Sequence, residues 1–124
     1  AAKHQAPAGF PSKVDILAVA QVESGFREKA KDSKSPSVGL MQINTAAHKV
    51  SKAAMETAEL NIEKGAEILK QYRAKVKTDS AALVAYNAGP GGMAIVCENR
   101  NPCSSTYSQK VQRAKRELQQ ALRS

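Results

Sequence analysis

Tryptophan is absent from this chain of 124 residues, which holds only two phenylalanines and three tyrosines. Large rings therefore cannot build the core, which is left to Ala, Val, Leu and Ile. A chain this long buries one such core, and an Ala-rich one favours helices. The composition predicts a single all-α domain over residues 11–124, after an irregular segment at 1–10. Aromatics are also too few to interleave with the basic residues, and no zinc-finger or RNP-type pattern occurs, so no nucleic-acid partner is expected. No apolar stretch approaches the ~20 residues that cross a bilayer, so neither a membrane span nor an uncleaved signal peptide is expected within these residues. The opening residues Ala1 to Gly9 lack periodicity. They fit a new end left by signal cleavage, a linker from a longer protein, or the boundary of an expressed piece.

Cysteine is scarce as well. The two present, Cys97 and Cys103, bracket "CENRNPC", where Asn99, Asn101 and Pro102 turn the chain. Two cysteines with no histidine nearby make a poor zinc site, whereas a disulfide closing this small loop suits an oxidising compartment. The expectation is a disulfide, a periplasmic or secreted setting, and no metal or organic cofactor.

Acidic residues are outnumbered 11 to 19 by Lys and Arg, which leaves a net charge of +8. Much of the excess lies in Lys110-Val111-Gln112-Arg113-Ala114-Lys115-Arg116. Such a balance suits an acidic partner, whether nucleic acid, anionic lipid or an acidic polymer such as a bacterial cell wall; it equally describes a solvated helix face.

Local signals divide the chain into about five helices. Ser12 caps the first, with Asp15 three residues on completing a capping box, and Gly25 stops it. A hydroxyl-rich loop, Lys31 to Gly39, follows and reads as a surface feature able to line a site. Thr45 is placed to cap a short helix through about Ala54. A longer helix has Ala58, Ile62, Ala66, Leu69 and Val76 on or near one face, and Glu63, Lys64, Glu67 and Lys70 mainly on a solvated one. Asp79 or Ser80 is placed to cap the next, which "NAGPGG" ends, since Gly89 can turn left-handed and Pro90 cannot continue a helix. A last helix begins near Thr106 and carries Tyr107, Val111, Ala114, Leu118 and Leu122 on one side. Short extended pieces are expected only around Leu40–Ile43 and Ala94–Val96.

One residue breaks this pattern of apolar-in, polar-out. Ile16, Val19, Ala20 and Glu23 stand at i, i+3, i+4 and i+7, so a carboxyl extends the apolar stripe of the first helix. A carboxyl there is partly desolvated, and desolvation raises its pKa towards the range a general acid needs. Alternatively, Glu23 reaches solvent at the last turn.

The segments "ESGF" (23–26), "GLMQIN" (39–44), "NIEKGAEIL" (61–69), "AYNAGPGG" (85–92) and "TYSQKVQ" (106–112) together resemble, in order and approximate spacing, the soluble lytic transglycosylases of the lysozyme-like superfamily. The resemblance covers roughly residues 12–118. It implies a small lysozyme-like helical domain with a substrate cleft. It also implies cleavage of the β-1,4 bond between N-acetylmuramic acid and N-acetylglucosamine of peptidoglycan, with a 1,6-anhydromuramyl end as product. Glu23 falls at the family's single catalytic position. Ordinary glycosidases use two carboxylates, but one suffices where a group on the sugar takes the second role. The muramyl N-acetyl carbonyl would then stabilise C1 as Glu23 protonates the leaving oxygen. Glu23 would next accept the proton of the sugar's own C6 hydroxyl, an intramolecular nucleophile of large effective concentration.

Position by position, the resemblance implies that Gln42 is a cleft glutamine, that the Tyr86 hydroxyl orients the catalytic carboxyl, that Asn87 binds substrate, and that Tyr107 is a second cleft tyrosine. Ser33 is the choice for the family's loop serine, with Ser35 and Ser37 as alternatives. The sequence departs from the family pattern at Arg27-Glu28, where many relatives have Asn-Pro, and at Asn44-Thr45, where many have Met-Pro. Asn44 thus puts a hydrogen-bonding wall residue in place of an apolar one. "GLMQIN" and the small size look like specialised members that open the wall for secretion, pilus, conjugation or phage machinery. A monomer with peptidoglycan strands as its partner is expected. Competing readings are a goose-type-lysozyme-like muramidase in which Asp32 orients a water, and a weakly active wall-binding component.

Overall fold

The computed structural model describes residues 9–31, 36–97 and 103–123. The first helix, α1 (Lys13–Ser24), opens on the expected capping box: the Ser12 hydroxyl accepts from the Asp15 amide, and the Asp15 carboxylate accepts from the Ser12 amide. Gly25, left-handed at φ 61° and ψ 33°, ends it. The chain then forms a two-stranded hairpin in which β1 (Ser37–Val38) pairs antiparallel with β2 (Ile43–Asn44), Val38 opposite Ile43. Leu40 to Gln42 are the turn between these strands, so of the stretch expected to be extended only Ile43 is in a strand.

Several helix boundaries differ from the sequence expectation, because the groups concerned find other partners. Thr45 does not open a helix: its hydroxyl donates to the Pro36 carbonyl at 3.2 Å, and the short helix α2 (Lys52–Met55) is capped instead by Ser51. The long helix α3 (Ala58–Arg73) stops before Val76, whose carbonyl accepts from the Arg73 guanidinium at 2.8 Å. In α4 (Asp79–Val96) the cap is Thr78, because Asp79 is paired with Arg73 at 2.8 Å and Ser80 points its hydroxyl at Ser108. "NAGPGG" kinks α4 rather than ending it. Gly89 leaves helical geometry at φ 77° and ψ 164°, and Pro90 opens the resumed helix, a position where its missing N–H costs nothing. Ala94–Val96 are therefore helical. The last helix, α5 (Thr106–Arg123), runs as expected.

The core is made of small and aliphatic side chains: Ala18, Val19 and Ala20 of α1, Leu69 of α3, Ala82 and Leu83 of α4, and Val111 of α5, closed by Met41 and Ile43 from the hairpin. α5 packs antiparallel on α1, and two polar clamps fix its register. Tyr107 meets Glu23, and eight residues along each helix, about 12 Å, Lys115 meets Asp15 at 2.9 Å.

A single buried amide ties the hairpin to the helices. Asn61 of α3 is fully buried; its Oδ1 accepts from the Met41 amide, and its Nδ2 donates to the carbonyls of Val38 and Met55, all at 2.8 Å. Gly39 makes the approach possible. It sits at φ 85°, and a Cβ there would collide with the Asn61 amide and the Met55 carbonyl. Replacing Asn61 by Leu leaves three buried backbone groups without partners, at about 1–3 kcal/mol each. Asn61→Leu is expected to lower unfolding free energy by about 3–5 kcal/mol in urea titrations, and a loss below about 1 kcal/mol would refute the latch.

Candidate active site

Glu23 is the penultimate residue of α1, and helical spacing sets it on the stripe of Val19 and Ala20, both buried. There it meets the first turn of α5, where the Tyr107 hydroxyl donates to Glu23 Oε2 at 2.7 Å. Burial raises the Glu23 pKa above the ordinary glutamate value, and the Tyr107 hydrogen bond, which favours the carboxylate, offsets part of the rise. Burial, and then the nearby Glu23 charge, push the phenols of Tyr107 and Tyr86 upward, so both stay protonated as donors.

The Tyr86 hydroxyl does not reach Glu23 as the resemblance implied. It donates to the Met41 carbonyl at 2.6 Å, and the hydrogen bond that orients the carboxyl comes from Tyr107. The antiparallel packing of α5 on α1, clamped by Asp15 and Lys115, sets the start of α5 beside the end of α1, where Tyr107 arrives at Glu23.

Glu23, Gln42, Asn44, Tyr86 and Asn87 line one cleft of about 470 Å³. Gln42 has a left-handed backbone at φ 51°, and its side-chain amide donates to the carbonyls of Ala30 and Gly39, both at 2.9 Å. Its N–H groups therefore hold the loop, a role the sequence did not indicate. Asn44 Oδ1 accepts from the Ala47 amide at 2.9 Å, which fixes the turn after β2. Asn87 is exposed on the cleft rim. Ser37 lines the cleft, whereas Ser33 and Asp32 lie outside the described residues. Cys97 and Cys103 form a disulfide with Cα atoms 5.0 Å apart, and Cys103 is buried against Ala81 and Val84, away from the cleft lining.

Other residues enter whose part in the site the sequence did not show. Ser24, buried beside Glu23, has its hydroxyl 2.8 Å from the Leu40 carbonyl and 3.0 Å from that of Ala20, joining the end of α1 to the hairpin turn. His48, Ile68 and Tyr72 form the cleft wall provided by α3 and the turn after β2. Burial, and then the Lys64 charge, lower the His48 pKa, which favours the neutral imidazole. Asn61 carried a readable signal, a polar residue on the buried stripe that includes Gly65, Ile68 and Leu69. Tyr72 and His48 carried none, since nothing local tells a cleft wall from ordinary surface.

A family model described as Transglycosylase SLT domain matches residues 8–107. No solved structure matches the chain. The match spans most of the chain and takes in every described cleft residue named above.

Two substitutions separate the tyrosines. Removing the Tyr107 hydroxyl takes a hydrogen bond from the carboxylate, so Tyr107→Phe is expected to raise the Glu23 pKa further in a carboxyl-carbon NMR titration. Tyr86→Phe leaves the Met41 carbonyl unpaired and is expected to cost about 1–3 kcal/mol of stability, with a smaller effect on Glu23. The opposite pattern would reassign the two hydroxyls. Because the raised pKa of Glu23 marks the protonated form as the better one in the fold, its contribution to stability is complete below the unfolded-state pKa and is lost as pH rises through the folded value. Glu23→Gln is therefore expected to melt higher than the parent at pH 7, and the difference should shrink at about pH 3.5, as calorimetry would read.

Proposed function

The chain belongs to the transglycosylase SLT domain family, and on that premise we propose that it cuts the MurNAc-β-1,4-GlcNAc bond of peptidoglycan and leaves a 1,6-anhydromuramyl end. Cleavage of peptidoglycan glycan by transglycosylation is the family's activity in general; the bond, the product and the part played by Glu23 are this proposal's own.

The observation that carries it is that Glu23 is the one carboxylate among the described residues lining the cleft, half-buried and held by Tyr107. Burial favours its protonated form, the form that can protonate the glycosidic oxygen. The glycan C–O bond then breaks, with the muramyl N-acetyl oxygen stabilising C1. Glu23, now ionised and stabilised by the Tyr107 hydroxyl, takes the proton from the C6 hydroxyl as that oxygen bonds to C1. One carboxyl thus closes the proton balance without a second, as in substrate-assisted glycoside cleavage. In this reading Tyr72 offers an apolar face to a sugar ring, and Asn87 offers the amide for its N-acetyl group. The Cys97–Cys103 disulfide suits action outside the reducing cytoplasm. No helix among the described residues is long and apolar enough to cross a membrane.

The test is mass spectrometry of the sugars released from purified peptidoglycan. Anhydromuramyl ends are expected from the parent chain, and Glu23→Gln, which keeps shape but not the acid, is expected to release them at least ~100-fold more slowly. Reducing ends would make the enzyme a hydrolase, and retention of most of the rate by Glu23→Gln would remove it from the acid's role.

A further inference from the structure

A second concavity, of about 220 Å³, is lined by Ser80 of α4 and by Ser108, Gln109, Gln112, Arg113 and Arg116 of α5, none of which lines the cleft. Its charge is not balanced locally. α5 carries five cations, Lys110, Arg113, Lys115, Arg116 and Arg123, against one acid, Glu117. Of the nearby acids, Asp79, next to Ser80, is already paired with Arg73 at 2.8 Å, and Asp15 is paired with Lys115 at 2.9 Å. Glu117 stands four residues from Arg113 yet makes no ion pair with it, and among the described residues neither Arg113 nor Arg116 has an ionic partner. Both arginines are exposed. Three residues apart on a helix, they are neighbours on one face. Each guanidinium presents a planar fork of donors that matches a carboxylate, and the side-chain amides of Gln109 and Gln112 add donors at the same pocket.

We propose that this pocket is an anchoring site for the carboxylates of peptidoglycan stem peptides, distinct from the catalytic cleft. The proposal rests on the reading of the chain as a wall enzyme, whose substrate is a network studded with free carboxylates. A net charge of +8 complements such a polyanion. Binding a stem at α5 while the cleft holds a glycan makes the second contact intramolecular, so a weak site is enough to keep the enzyme on insoluble wall.

The test uses the full chain carrying Arg113→Gln together with Arg116→Gln. Two readouts are run in parallel: co-sedimentation with purified wall stripped of phosphate polymers, and cleavage of a short peptide-free glycan oligomer. Wall affinity is expected to fall about tenfold, with oligomer cleavage unchanged within about twofold. The parent chain should show the same loss on wall whose carboxylates have been amidated. Arg113→Lys with Arg116→Lys, which keeps charge but not the forks, should recover only part of the affinity. Lys70→Gln with Lys75→Gln, which removes equal charge from exposed positions on and just after α3, should leave affinity near the parent's. Unchanged sedimentation of the Arg113/Arg116 variant, an equal loss in the lysine control, or a loss confined to wall that keeps its phosphate polymers would each overturn the proposal. If the parent cleaves neither wall nor oligomer, the catalytic reading falls, while sedimentation still decides the pocket.

Discussion

The Asn61 side chain is the interaction on which the cleft depends. It is a neutral amide with no access to water, so each polar atom it carries must be met by the protein. Three backbone groups from three segments meet it: Val38 in β1, Met41 in the turn, and Met55 at the end of α2. Because a hydrogen bond fixes distance and direction where apolar contact does not, this amide sets how far the hairpin stands from α3. The turn it locates carries Gln42 on its cleft side and Met41 on its core side. Gly65 of α3 makes room for Met41, since a Cβ at that position would run into the methionine sulfur. The polar latch and the apolar plug thus act on adjacent residues of one turn.

A second constraint places the acid. Asp15 serves twice, closing the α1 capping box through Oδ2 and receiving Lys115 on Oδ1. It couples the start of α1 to the middle of α5, and the shared rise per residue of two α-helices carries that register to the other end, where Tyr107 arrives at Glu23. The result is a carboxyl held in two opposing fields. Burial disfavours its charge, and a phenol hydroxyl favours it, which is the balance the proposed acid-then-base role calls for. Ser24 then joins this helix end to the turn located by Asn61.

Legibility in the sequence followed the range of the forces involved. The Ser12 cap, the Gly25 stop and the start of α5 were readable because their partners lie within four residues. Thr45, Asp79 and Ser80 misled because each found a partner remote from its own helix start: Pro36, Arg73 and Ser108 respectively. The stripe that singled out Glu23 was local in the same way. The choice between Tyr86 and Tyr107 as its partner was not, because both hydroxyls come from other helices and only packing decides which one arrives.

What the sequence by itself determined, then, is a mostly helical fold, an acid on an apolar stripe, and an order of short motifs that together specify a family. Each of these is written in periodicity or in linear order, which a chain carries whether folded or not. The tertiary structure decided which hydroxyl holds that acid, that Gln42 braces a loop, that Tyr72 and His48 become cleft wall, and that two arginines of α5 share a pocket with α4. Those outcomes depend on rotations and offsets between helices. A shift of a single residue along α5, about 1.5 Å of rise and 100° of turn, would carry Tyr107 away from Glu23 while leaving every sequence pattern intact.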